Sequence, residues 1–192
     1  MLLSLTQKTV LICRLDQKLK PVNHDKATIT DNLLTCLSQA AGEDFELIII
    51  SFSLSQIAAR QGIIDLCACL KNRPLSKNIP LCAVMTALHR SMAVKLQRAG
   101  VEFLKIRNPD VRFDVEQLST LIREANMSVR IERVLGRLCP FLNYFPIDAQ
   151  REIITCGAYK NRMVLGGERL HEICESEAHL FCHYFLNPKA HP

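Results

Sequence analysis

The sequence predicts an α/β fold in which a parallel sheet is flanked by helices and is followed by a small, mostly helical, cysteine-rich appendage. Short β-branched apolar runs alternate with segments of helical spacing in the first part of the 192-residue chain. Such alternation is typical of a parallel sheet covered by helices. Hydrophobic residues make up 48% of the chain, which is enough for a substantial core. Four of the nine cysteines lie in the last part of the chain.

Four apolar runs are predicted to be strands, because strands buried on both faces of a parallel sheet are continuous stretches of Val, Ile and Leu. In chain order they are residues 9–13, 45–50, 79–85 and 101–106.

Helices are predicted between these strands. Asp31 is expected to cap a helix that carries leucines at 33–37, and residues 57–70 place apolar side chains on one side. Residues 91–98 form a further helix, which Gly100 ends because glycine tolerates the left-handed conformation of a helix terminus.

The last helical pattern extends beyond the sheet. Asp114 is expected to cap it, and the pattern continues through Arg130 to Leu138. We therefore divide the chain into a sheet domain, residues 1–125, and a long helix extension with a cysteine-rich metal-binding tail, residues 126–192.

Composition limits the partners and the location. There is no run of about 18 apolar residues, and MLLSLTQKTV lacks the features of a secretory signal, so we expect a cytoplasmic protein without a membrane partner. The net charge of +5 is mild, and residues 126–192 carry eight Lys and Arg against seven Asp and Glu. Strong binding to nucleic acid is not favoured by such a balance.

The cysteine-rich stretch is the strongest chemical signal. Its four cysteines are separated by 16, 17 and 7 residues, have three histidines among them, and are Cys139, Cys156, Cys174 and Cys182. Each is predicted at the end of a helix or strand, where thiolates from separate elements can face one point. We predict that these four cysteines bind a metal centre.

The spacing favours an iron–sulfur cluster over zinc. Common zinc modules use cysteine pairs two to four residues apart, whereas a cluster of several irons can gather ligands from four separate elements. Zinc remains the alternative, as does a small core of four reduced thiols. His171 lies three residues before Cys174 and shares its predicted helix face, which makes it a substitute ligand.

The other five cysteines are interpreted as packing residues, because free cysteine behaves as a small buried hydrophobe. They are Cys13, Cys36, Cys67, Cys69 and Cys82.

A family resemblance is carried by residues 45–87, where Asn78-Ile-Pro80 leads into a strand ending at Thr86-Ala87, and by the following AGVEFLKIRNP. These segments resemble the second half of a response-regulator receiver domain, and the likeness extends over residues 8–125. It implies a flavodoxin-like fold. Because Arg14 and Ser51 are only 37 positions apart, we expect the first helix to be reduced to a loop around 18–23 and an edge strand at 27–29.

The resemblance also implies that aspartyl phosphorylation is lost. Arg14 falls on the acidic pair that binds magnesium in receivers, with Asp16 as a poor substitute, and Ser51 falls on the phosphate-accepting aspartate. Thr86 stands where receivers have a hydroxyl-bearing residue. The residue at the position of the lysine of receivers is not a lysine here, but Lys105 is next to it. Arg14 would place a permanent cation in the former metal site.

Two classes of function follow. In the first, the protein is a non-enzymatic signalling module, a phosphorylation-incompetent receiver that docks another protein and carries the metal centre. In the second, it is a redox subunit that passes electrons or a zinc-stabilised scaffold. We expect the protein not to be an enzyme. The sequence shows neither a Cys–His pair with a recognisable third catalytic residue nor a glycine-rich loop that could bind phosphate. A homodimer is an open alternative to a different partner protein.

Overall fold

The computed structural model describes residues 9–15, 27–42, 44–108, 114–124 and 127–189. The predicted loop at 18–23 lies outside the described residues. The strands are β1 Thr9–Arg14, β2 Ala27–Thr30, β3 Phe45–Phe52, β4 Leu81–Met85, β5 Phe103–Ile106, β6 Leu142–Pro146 and β7 Glu152–Cys156. The α-helices are α1 Leu33–Gln39, α2 Arg60–Asn72, α3 Arg90–Arg98, α4 Val115–Arg123, α5 Ile131–Gly136 and α6 His183–Leu186.

Strands β1 to β5 form one parallel sheet in the order β2-β1-β3-β4-β5. This is the order of the flavodoxin-like fold, in which ligands bind beyond the carboxyl ends of the strands. The four predicted core strands are confirmed, as is the edge strand β2. The predicted α/β class is therefore correct for this part of the chain.

The sheet is buried on both faces. One face packs against α1, α2, α3 and α5, and alternate residues such as Ile48, Ile50 and Phe52 of β3 point into that layer. The other face includes Leu47 and Ile49 of β3 and packs against α4. Such burial explains why the strand sequences are continuously apolar rather than alternating.

Local signals set the helix ends. Asn32, rather than the predicted Asp31, caps α1, because its side chain accepts hydrogen bonds from the Leu34 and Thr35 N–H groups at 2.8 and 3.3 Å. Asp114 caps α4 as predicted. Gly100 follows α3 with φ of +90°, and a Cβ at this position would lie 2.7 Å from Lys71 Cγ. Glycine is therefore required at this turn.

The predicted continuous helix from Val115 to Leu138 is wrong. Helix α4 ends at Arg123, and Arg130 adopts an extended conformation and forms an antiparallel bridge with Phe103 of β5. The Ile131 N–H donates to Glu102 O at 3.0 Å. The chain thus folds back along the edge of the sheet before the short helix α5, because this edge offers unpaired backbone groups.

The C-terminal segment, defined here as residues 138–189, was predicted to be mostly helical but also contains the antiparallel hairpin of β6 and β7. Its helical parts are short: a 3-10 turn Gly157–Tyr159, a π-helical turn Arg169–Cys174, a 3-10 turn Glu177–Phe181, and α6. Among the described residues, no helix has the length and apolar character needed to span a membrane.

Candidate functional site

The four cysteines of the C-terminal segment line a single small cavity. Three of their residues are buried, with exposed fractions of 7–8%, and the Cys182 residue is half-buried. Each of the four cysteines comes from a different element. Their positions are Cys139 after α5, Cys156 at the end of β7, Cys174 at the end of the π-helical turn and Cys182 before α6. The structure therefore brings together the residues that the sequence singled out, and each lies at an element end as predicted.

A backbone hydrogen bond joins one pair of these positions directly. The Cys139 N–H donates to Cys174 O at 2.8 Å, which joins the end of α5 to the end of the π-helical turn. Cys156 lies opposite Leu142 in the hairpin. The Gly157 N–H donates to Phe141 O at 2.7 Å just after β7, and a Cβ on residue 157 would lie 3.1 Å from that same oxygen, which favours glycine there.

Burial and the neighbouring cysteines disfavour the thiolate forms of Cys139 and Cys174. Burial raises the pKa of the Cys174 thiol to about 12, and the neighbouring Cys139, Cys156 and Cys182 add to the effect. Burial likewise raises the pKa of Cys139, with Cys156 and Cys182 again unfavourable to the thiolate. Several thiolates around one cavity therefore require a nearby positive charge, such as a metal centre, to become stable.

The donor set fits a soft metal centre, although the side chains do not converge on one point. Among the described residues, no group of three His, Cys, Asp or Glu side chains is arranged to hold a single metal ion. The cavity encloses about 10 Å³, which is about the space of one water molecule. An iron–sulfur cluster would therefore require the elements that carry the thiols to move apart.

The structure places a different histidine, His179, beside the four cysteines. His171 is exposed and its Nδ1 lies 2.7 Å from Glu175 Oε2, outside the cavity. His179 is only 3% exposed and lines the cavity with the four cysteines. The helical spacing from Cys174 pointed to His171. His179 faces the cavity because residues Glu177–Phe181 form a 3-10 turn, and this turn left no clear signal in the sequence.

The C-terminal segment is attached to the α/β domain by an ion-pair cluster. Glu152 of β7 accepts two hydrogen bonds from the Arg60 guanidinium, at 2.8 and 3.0 Å. His89 Nε2 lies 3.1 to 3.2 Å from the same carboxylate. Burial raises the pKa of Glu152, but the bonds from Arg60 and His89 outweigh it and hold that pKa below its usual value.

His89 also caps α3 and stacks on the hairpin. Its Nδ1 accepts a hydrogen bond from the Met92 N–H at 3.1 Å, so in the neutral ring the proton is on Nε2 and faces Glu152. The Tyr144 ring stacks on the His89 ring with a centroid distance of 3.8 Å. The Tyr144 hydroxyl accepts a hydrogen bond from the Arg90 N–H at 3.0 Å. Burial lowers the pKa of His89. We call Arg60, His89, Arg90, Tyr144 and Glu152 the junction.

The junction reaches two loops at the carboxyl edge of the sheet. His89 follows β4, and Arg60 begins α2 after β3. A further contact ties the β3 loop to the hairpin turn, since the Ile57 N–H donates to Ala149 O at 3.1 Å. The hairpin that ends in Cys156 therefore contacts the edge at which flavodoxin-like folds bind ligands.

The residues that the receiver resemblance assigned to a degenerate pocket are only partly brought together. Arg14 and Ser51 are register partners at the ends of β1 and β3. Thr86 follows β4 and is half-buried, and Lys105 is exposed on β5. Asp16 lies outside the described residues. Ser51 is 3% exposed, and within the described part of the chain its hydroxyl has no hydrogen-bond partner.

Four of the five remaining cysteines are buried in the α/β core as predicted, namely Cys13, Cys36, Cys67 and Cys82. The prediction is wrong for Cys69, which is exposed. Cys67 and Cys69 are two residues apart on α2, so they point about 200° apart and only one can face the sheet.

Comparison with known proteins gives no assignment, because no family profile matches the sequence and no curated protein is similar to it.

Proposed function

We propose that this protein is a non-enzymatic signalling module in which a degenerate receiver domain carries a cysteine-ligated metal centre. Cys139, Cys156, Cys174 and Cys182 hold an iron–sulfur cluster, and the junction transmits its presence to the loops of the receiver domain. The observation that supports this most strongly is the meeting of four distant cysteines at one cavity.

The surroundings of the cavity suit an anionic thiolate centre. Arg169 lines the cavity, favours the Cys174 thiolate, and lies with its guanidinium carbon 5.6 Å from the centroid of the Tyr184 ring. Phe185 and Met163 also line it and exclude water. A nearby cation and an apolar shell are the features by which proteins adjust the potential of a bound cluster. When bound, the cluster would supply a reversible one-electron couple or a centre sensitive to oxidants.

Loss of phosphorylation chemistry is consistent with a new input. With Arg14 at the acidic-pair position and Ser51 at the acceptor position, the receiver would have neither a good magnesium site nor an aspartyl acceptor. The junction reaches the same carboxyl edge of the sheet from the side of the cysteine cavity. We therefore infer that the cluster replaces phosphate as the signal, and that the receiver domain presents the resulting state to a partner protein.

Hydrogen exchange tests this coupling directly. The amides of Ile57 and Arg90 donate to Ala149 O and to the Tyr144 hydroxyl, so both report on docking of the hairpin. We expect both to exchange more slowly in the cluster-loaded protein than after anaerobic removal of the cluster. The Gln117 amide, which donates to Asp114 on the opposite face, serves as the control.

Unchanged exchange at Ile57 and Arg90 on removal of a bound cluster would contradict a signalling role. That outcome would favour the second class of function, an electron-transfer subunit, because an electron carrier needs no change in the loops of the α/β domain.

A structural zinc site is the second candidate for the metal. The cavity of about 10 Å³ is nearer in size to a single ion than to a cluster, although the thiols would have to converge further to bind that ion. In that case the metal would clamp the C-terminal segment, and the α/β domain alone would carry the interaction surface.

A further inference from the structure

A second cavity, larger than the one around the cysteines, lies between β5, α5 and the C-terminal segment. It encloses about 270 Å³, which is near the lower end of the roughly 300–1,000 Å³ that small-molecule sites occupy. In the described part of the chain it shares no lining residue with the cysteine cavity. We call this space the β5 cavity.

The β5 cavity lies near the carboxyl ends of two neighbouring strands. Ile106 is the last residue of β5, and Leu88 is in the loop that follows β4. Flavodoxin-like folds bind their ligands beyond the carboxyl ends of the strands. The cavity is therefore at a position where this architecture commonly holds a ligand.

One part of the cavity wall is apolar. It is formed by Leu88, Leu104, Ile106, Val134 and Leu138. Two of these residues are buried and three are half-buried. Protein interiors are closely packed and contain few voids larger than a water molecule. An open space of this size beside apolar side chains therefore suits the apolar part of a ligand.

Three charged side chains also line the cavity, and they are Lys105, Arg137 and Glu175. Lys105 and Arg137 are exposed, and among the described residues neither forms an ion pair with a carboxylate. The Glu175 side chain is 11% exposed, and its Oε2 lies 2.7 Å from His171 Nδ1. Two cations and one carboxylate leave the wall with one net positive charge, which a single anionic group would neutralise.

The charges favour a carboxylate over a phosphate. The arginine guanidinium presents parallel N–H donors that match both oxygens of a carboxylate. A phosphate monoester carries nearly two negative charges near neutral pH. It would give the occupied site a net negative charge close to the Glu175 carboxylate, and like charges at short distance repel.

We propose that the β5 cavity binds a small monocarboxylate with an apolar body. The carboxylate pairs with the Arg137 guanidinium, with Lys105 as the second cation, and the apolar body lies between β5 and α5. Binding is reversible and non-covalent. The site contains none of the four cysteines, so the proposal does not depend on whether the protein holds a metal.

A ligand in this cavity would connect the sheet to the C-terminal segment. Leu138 in the cavity wall directly precedes Cys139, and Glu175 directly follows Cys174. The Cys139 N–H donates to Cys174 O at 2.8 Å, so these two parts of the wall are held together by their backbones. A ligand that binds only the folded arrangement stabilises it. We therefore expect the bound carboxylate to raise the temperature of thermal unfolding.

Isothermal titration calorimetry of the full chain with octanoate tests the proposal. Two further probes are 1-octanol, which lacks the charge, and acetate, which lacks the long apolar body. We expect saturable binding of one octanoate per chain and weaker binding of both other probes. The temperature of thermal unfolding should rise with octanoate and stay unchanged with the same concentration of acetate.

Three variants test the charged groups. Arg137→Gln should weaken octanoate binding by about tenfold or more, because it removes a charge-assisted pair. Lys105→Gln should weaken it in the same direction, and Glu175→Gln should strengthen it by removing the opposing charge. Arg98→Gln is the matched control and should equal wild type, because Arg98 is an exposed arginine of α3 that does not line the cavity.

A folded wild type that does not bind octanoate would overturn the proposal, as would equal affinities in Arg137→Gln and Arg98→Gln. Equal affinities of the wild type for octanoate and 1-octanol would contradict the assignment of a carboxylate. Circular dichroism of each variant separates loss of binding from loss of the fold, and Lys105→Gln keeps the test valid if Arg137→Gln fails to fold.

Discussion

At the scale of single residues, Ser51 is a polar side chain that is enclosed near the end of β3. Its hydroxyl is buried and, among the described residues, unpartnered. A buried hydroxyl without a hydrogen bond is destabilising, because it has lost its contacts with water. The residue therefore contributes nothing to stability that alanine could not contribute.

Replacing Ser51 by alanine should raise the free energy of unfolding by up to about 1 kcal/mol, because it removes an unsatisfied polar group. Ser76→Ala is the matched control. Ser76 is equally buried, but its hydroxyl donates to Leu70 O at 2.6 Å, so its loss should lower that free energy by about 1–2 kcal/mol. Urea denaturation of both variants measures the difference, and equal destabilisation would show that Ser51 has a hydrogen-bond partner.

The sequence was a good guide to which cysteines lie around one cavity and a poor guide to how the neighbouring side chains are oriented. The four cysteines could be singled out because soft ligands are rare outside sites. His179 could not, because its inward orientation depends on a 3-10 turn and on the Ser176 carbonyl. Asn32, and not Asp31, caps α1. Asn and Asp are about equally good N-cap residues, so the sequence could not decide between two neighbouring helix starts.

At the scale of elements, the junction determines how the hairpin is held. Arg60 and Glu152 are largely buried, with side-chain exposures of 13% and 17%, and form a bidentate pair. Removal of one member of such a pair leaves the other charge without compensation. Surface pairs lack this penalty.

Glu152→Ala should therefore lower the free energy of unfolding by about 2–3 kcal/mol. Arg151→Ala, on the same hairpin, is the control, since Arg151 pairs with Asp148 in an exposed position and its loss should cost less than about 0.5 kcal/mol. Chemical denaturation compares the two. Similar losses in both variants would mean that the junction is no stronger than an ordinary surface ion pair.

The junction should also weaken in acid. The folded pKa of His89 lies below 6.5 and that of Glu152 below 4.5, so in both cases the unfolded chain binds protons more readily. Each group stabilises the fold fully at a pH above its pKa in the unfolded chain. This stabilisation is lost as the pH falls through the lowered pKa of the folded state. Protonation of His89 at Nδ1 would also oppose the N–H of Met92, and the charge of Arg60 disfavours it.

Thermal unfolding from about pH 7.5 to about pH 5 should show falling stability in the wild type. His89→Asn keeps a side-chain acceptor for the α3 cap but does not titrate, so its profile should be flatter in this range. The same slope in both proteins would exclude His89 as the group responsible.

Elements with strong local signals were predictable, and those that depend on distant contacts were not. The apolar runs identified β1, β3, β4 and β5, because burial on both faces leaves a plain signature. The hairpin of β6 and β7 was missed, since its exposed positions carry the apolar residues Phe145 and Ile153, which hides the alternation expected of a half-buried strand. The break in the helix pattern at Arg130 was missed because it results from pairing with β5.

At the scale of the whole molecule, the sheet and the cysteine cavity form one connected structure. The chain crosses the β5 edge at Arg130, α5 packs beside α3, and Arg90 donates to Leu135 O and Leu138 O at 3.0 and 2.9 Å. These contacts and the junction join the C-terminal segment to α3 at several points. A change at the cavity is thus in a position to reach the carboxyl edge of the sheet.

The most direct test of the metal centre is anaerobic purification followed by iron, sulfide and zinc analysis with a visible absorption spectrum. Wild type should contain iron and acid-labile sulfide with a broad brown absorption, which Cys156→Ala and Cys174→Ala should lose. Cys69→Ala should keep it, because Cys69 is exposed and remote from the cavity. Zinc at one ion per chain would contradict the cluster, and a folded wild type without any metal would return the four cysteines to the role of a small core.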